Sequence, residues 1–100
     1  MSYKHNNLLA MRQSYWNDEQ SVKVQHEKLF FQQVLAEYHV FTEPNLEDVR
    51  YFFFTLPSII IVKGYALGFM HESVKALIIQ HLIRNKTLLN QRHPLKVQYR

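Results

Sequence analysis

Six basic side chains close the chain: Lys75, Arg84, Lys86, Arg92, Lys96 and Arg100, with no acidic residue after Glu72. Guanidinium and ammonium groups bind phosphate oxygens, which positions a protein on nucleic acid without reading its sequence. Residues 73–100 hold six Lys/Arg and no Asp/Glu, a balance of +6; residues 1–72 hold six against eight, a balance of −2. Such asymmetry points to a polyanion, most often nucleic acid. The plainer alternative is a solvated basic tail that keeps the chain soluble.

Other chemistry is poorly represented. The histidines are His5, His26, His39, His71, His81 and His93, and no pair shows the H-E-x-x-H spacing of a zinc enzyme. His71 and Glu72 are adjacent, so on a helix they point apart. His81 falls on or beside an apolar stripe and reads as a half-buried, hydrogen-bonded histidine. No Gly-rich phosphate loop and no nucleophile elbow occur. The expectation is a non-enzyme with no catalytic residue, no metal and no cofactor. Without cysteine there is neither a disulfide framework nor a thiolate site.

These residues need elements to hold them. One hundred residues, 47% of them apolar, make a single domain. The stretch YFFFTLPSIIIV, residues 51–62, is too short to span a bilayer, which takes about 20 apolar residues, and it contains Pro57. No membrane segment and no signal peptide are expected. The fold class is all-α, a small bundle of four or five helices with a helix-turn-helix-like C-terminal part. Residues 1–57 would supply dimer or partner-interface helices, 58–92 the helix-turn-helix-like segment, and 93–100 a basic tail.

The first short helix covers 3–15, through Leu8, Leu9, Met11 and Tyr15. Asn17 and Gln20 form a capping-box pattern for a second helix running to about His39, with Val22, Leu29, Phe30, Val34 and Tyr38 as its apolar face. A third helix begins at a Thr42 or Asn45 cap, with Pro44 in its first turn. It carries Leu46, Val49, Phe53 and Leu56 on one face and ends near Thr55, because the residue before a proline avoids the α region. Pro57 opens the next element, with Thr55 as a cap. Residues 58–67 read as helix or strand, with helix favoured. From Met70 to about residue 92 the pattern is a helix on Val74, Leu77, Ile78, Leu82 and Leu88 or Leu89, without a good N-terminal cap.

Residues 64–77, GYALGFMHESVKAL, have the grammar of a helix-turn-helix. Gly64 lets two helices approach, Leu67 is buried before the turn, and Gly68 supplies a positive φ. Phe69 plugs the core, and Val74 and Leu77 anchor the second helix. That leaves Met70, His71, Ser73, Lys75 and Ala76 near the exposed helix start. The candidate DNA-binding residues are His71, Ser73, Lys75, Arg84, Lys86, Arg92, Lys96 and Arg100. The plainer reading is an ordinary helical hairpin with a glycine stop.

Aromatic residues are in surplus. The run Phe52-Phe53-Phe54 covers most of a helix circumference, so that helix should be buried from both sides. A second subunit on one side would make Phe30, Phe31, Tyr38, Tyr51, Phe52 and Phe54 a dimer or partner interface. The alternative is a central helix wrapped by its own neighbours.

Residues 45–64, NLEDVRYFFFTLPSIIIVKG, resemble a stretch of the flagellar master regulator subunit FlhD: an acidic helix start, an apolar helix, the string Thr55-Leu56-Pro57, and an apolar helix with a lysine. The resemblance reaches back to about residue 29 in character only. It implies a small, all-α, dimeric, cytoplasmic bacterial subunit that works with a larger zinc-containing partner, FlhC, as a transcriptional activator. Relatives of this pair are carried by mobile elements, and the FlhD-type subunit has little sequence-specific DNA affinity alone. This chain departs from the pattern in its basic C-terminal end, its stronger Gly64–Leu77 motif and its lack of cysteine. A second function class is a phage or mobile-element protein that inhibits a host protein by binding its surface. A third, an RNA- or ribosome-associated helical protein, rests on charge alone.

Overall fold

A computed structural model describes the backbone of residues 2–92 and the side chains of residues 7–91. The described residues are all-helical: α1 (Ser2–Trp16), α2 (Val22–Glu37), α3 (Leu46–Thr55), α4 (Ser58–Leu67), α5 (Glu72–Arg84) and α6 (Lys86–Arg92). None of these helices is long and apolar enough to cross a membrane.

Local hydrogen bonds explain the boundaries. The expected cap pair Asn17 and Gln20 does not form. Asn17 N–H still donates to Gln13 O at 3.0 Å and so ends α1. Ser21 caps α2 instead, its hydroxyl accepting from Val24 N–H at 3.1 Å. α2 closes with His39 in the left-handed region at φ 59°. Val40 N–H then reaches Leu35 O and His39 N–H reaches Ala36 O, both at 3.0 Å, the paired bonds of a Schellman motif. Asn45 caps α3 in a capping box with Asp48, each side chain accepting from the other's backbone N–H at 2.9 Å. Pro44 precedes that cap rather than entering the helix. Residues 58–67 are helix, opened by Pro57, and the Thr55 hydroxyl donates to Phe52 O at 2.7 Å instead of capping. The expected single helix beyond Met70 is two helices. Asn85 breaks it by donating from Nδ2 to His81 O at 2.8 Å.

The apolar faces differ from the expected stripes. Val24, Phe31, Val34 and Leu35 line the core from α2, whereas Val22 and Leu29 face solvent. Leu46 of α3 is exposed, while Val49, Phe52, Phe53 and Leu56 are buried. α3 is wrapped by this chain's own helices. Phe53 stacks on Tyr15 of α1 at 4.7 Å between centroids and lies 5.9 Å from Phe31 of α2. Phe52 meets His81 of α5 at 6.2 Å.

The interface expectation is corrected accordingly. Phe31 and Phe52 are completely buried inside the monomer and present nothing to a partner. Phe30, Tyr38, Tyr51 and Phe54 are half-buried against the same core. Arg50 covers Phe54 with its guanidinium 4.7 Å from the ring.

Candidate nucleic-acid interface

The α4–turn–α5 unit is built around two glycines and one phenylalanine. A Cβ on Gly64 would overlap the Phe69 ring, so α4 and the turn meet at a distance that only glycine permits. Gly68 has φ 96°, the positive φ expected, and its N–H donates to Gly64 O at 2.7 Å. Phe69 is 1% exposed, with Tyr15, Phe31 and Phe53 at centroid distances of 5.3, 5.6 and 5.7 Å. Val74 is fully buried and Leu77 half-buried, as their anchoring role requires. Leu67 is the exception: it was expected in the core and faces solvent.

A buried carboxylate fixes the turn. Glu27 of α2 is 2% exposed. One oxygen accepts from the Tyr15 hydroxyl and the other from Phe69 N–H, each at 2.9 Å. Burial, and then the Glu27 charge, push the Tyr15 phenol well above its ordinary pKa, so it stays protonated and donating. The turn is thereby tied to α1 and α2 at once. Sequence reasoning missed Glu27. The available signal was its position three residues after Val24 and four before Phe31, on the buried face.

α5 sorts its residues cleanly. Val74, Ile78 and Leu82 point inward, and Ser73, Ala76, Gln80, Ile83 and Arg84 form the outer face at spacings of three and four. Gln80 was not among the expected contacts, although its place in this series made it visible. His71 is the N-cap that the sequence did not reveal, with Nδ1 accepting from Ser73 N–H at 3.2 Å. Its ring is committed to the helix start while its edge remains exposed.

Lys75 was expected beside the groove-facing residues and is turned away from them. It is half-buried, 3.9 Å from Glu72 and 5.7 Å from the centroid of Phe30. Arg84 and Lys86 are exposed where α5 gives way to α6. The structure therefore brings Ser73 and Arg84 onto one side of α5, holds His71 before the helix start against Ser73, and turns Lys75 away from that side. The Arg92 side chain, Lys96 and Arg100 lie outside the described residues, as does the tail 93–100.

His81 sits on the opposite, inner side of α5. Asn85 Nδ2 lies 3.1 Å from its Nδ1, and its Nε2 is buried without a partner. The site borders a small cavity of about 160 Å³ with Tyr51, Thr55 and Leu89. Burial lowers the His81 pKa, which favours the neutral ring. No group of three His, Cys, Asp or Glu that could hold a metal occurs among the described residues. Compared with family descriptions, curated proteins and solved structures, the chain shows no match.

Proposed function

We propose that the chain is a DNA-binding transcriptional regulator subunit of the FlhD-like kind. It acts as a dimer beside a larger, zinc-containing FlhC-like partner in the bacterial cytoplasm. The observation that carries this reading is the pinned turn. Gly64, Gly68 and Phe69 fix α4 against α5 and leave one face of α5 free, with Arg84 and Lys86 at its far end. A helix presented this way fits a major groove, and polar residues on its outer side meet base edges. Ser73 and Gln80 are the groups suited to that contact, and Gln80 matches the donor and acceptor pair of adenine. Half-buried Phe30, Tyr38, Tyr51 and Phe54 are what remains of the expected dimer surface.

Fluorescence anisotropy on a short mixed-sequence duplex tests the reading. Affinity should fall steeply as salt rises. Arg84→Ala and Lys86→Ala should each weaken binding for all sequences and lower the salt slope by about 1. A flat salt response removes the DNA role. A second reading, surface inhibition of a host protein, draws on the exposed Ile59, Val62 and Leu67 of α4. It takes over if the chain ignores duplex at low salt.

A further inference from the structure

α4 turns a second surface to solvent. Ile59 (57% exposed), Val62 (49%) and Leu67 (51%) follow one another along it, and Met70 (45%) and Val22 (67%) carry it across the turn onto the start of α2. Val22, Leu67 and Met70 share a groove of about 450 Å³ whose polar rim is Lys23, His26 and His71. Single exposed apolar residues are ordinary on a protein surface, but a connected strip of five marks an interaction site.

The charged side chains inside the strip are basic, and the exposed acid beside it is Glu72, two residues beyond Met70 and 3.9 Å from Lys75. Lys63 stands four residues after Ile59 and four before Leu67, inside the strip, and α4 carries no acidic residue. Lys23 reaches the groove beside Gly68, its Cε 3.7 Å from where a Cβ on that glycine would lie. Glu27, the acid among the lining residues, has both oxygens turned inward to Tyr15 and Phe69. A two-fold dimer through this face would set Lys63 of one copy against Lys63 of the other. Self-association is therefore disfavoured here, and an occupant of opposite charge is favoured.

We propose that the α4 face docks an acidic amphipathic helix of a partner protein. Its apolar side chains fill the Val22–Leu67–Met70 groove and cover Ile59 and Val62, and its carboxylates meet Lys63 and Lys23. The inference rests on the regulator reading for the partner's role, and duplex binding is measured separately, so either can fail alone.

The probe is a synthetic helical peptide with Leu at every third or fourth position and Glu elsewhere, beside a twin with Lys in place of Glu. Binding to the intact chain is followed by fluorescence anisotropy. The Glu peptide should bind with a dissociation constant on the order of 10 µM and the Lys twin about tenfold more weakly. Leu67→Ser and Val62→Ser should each weaken the Glu peptide by about fivefold or more, and Lys63→Glu should reverse the preference between the twins. Leu46→Ser, at an equally exposed leucine on α3, should change nothing, and all four variants keep their helical circular dichroism because the side chains are exposed. Four results overturn the proposal. These are equal binding of the two peptides, indifference to Leu67→Ser, tighter binding to vesicles of anionic phospholipid than to the peptide, and self-association abolished by Leu67→Ser. Salt-dependent duplex binding that survives Leu67→Ser leaves the regulator reading intact whichever way the peptide result falls.

Discussion

A carboxylate taken out of water is stable when donors meet it, and Glu27 has one donor for each oxygen, from Tyr15 and from Phe69. The two donors are not equivalent. A backbone N–H can only donate, whereas a tyrosine hydroxyl can turn and accept. Glu27→Gln can keep Phe69 on its amide oxygen and donate to Tyr15 from its nitrogen, so it should cost only about 1 kcal/mol. Glu27→Met keeps the bulk and strands both donors, and should cost about 3 kcal/mol or more in urea denaturation. His81 gives a pH dependence. Its folded pKa is lowered by burial, so below the ordinary value of about 6.5 the unfolded chain binds the proton more readily than the folded one. The neutral ring's contribution is complete above that pH and is lost as pH falls toward the folded value. The melting temperature should drop more steeply between about pH 7 and pH 5 in the native chain than in His81→Leu. The histidine was legible as half-buried. Its unpaired Nε2 was not, because the cavity beside it is made by α3 and α6, far away in the chain.

At the scale of elements, sequence merged α5 and α6 into one helix, placed the buried faces of α3 and α5 largely correctly, and misplaced that of α2. Spacing shows that Phe30 or Phe31 must point inward, and the two choices differ by about 100° of rotation. The choice made outside the helix, by Phe53 and Phe69 meeting Phe31, could not be read from α2 alone. The same holds for Leu67, in a segment read as helix or strand with helix favoured, whose covering neighbour was absent. The motif at 64–77 was legible because its demands are local: glycine where helices meet, glycine where φ is positive, an aromatic between them. Gly64→Ala tests it. The new methyl would strike a ring boxed in by Tyr15, Phe31 and Phe53, so the ring cannot retreat. The expected loss is about 3 kcal/mol, at the upper end for overpacking, with a weakened near-ultraviolet aromatic signal. Phe69→Leu in the same chain should relieve part of it, so the double variant loses less than the two single losses added.

Across the whole molecule, the aromatic surplus divides: Phe31, Phe52, Phe53 and Phe69 are spent inside the chain, while Phe30, Tyr38, Tyr51 and Phe54 stay half-buried at its edge. α3 meets α1 and α2 through Phe53, and α5 and α6 beside Tyr51, Phe52 and Thr55, and Phe69 arrives from the turn to close the cluster. Composition announced the quantity of aromatic surface but could not say how many chains would share it. Phe69 belongs to the aromatic cluster and to the turn that aims α5, so the two cannot vary independently across generations. A lineage that drifts at Tyr15, Phe31 or Phe53 also re-aims the outer face of α5. If the outer face of α5 is the recognition surface proposed above, heritable change in what it binds should arise in the interior as well as at the surface, and a screen confined to exposed positions would overlook the interior sources.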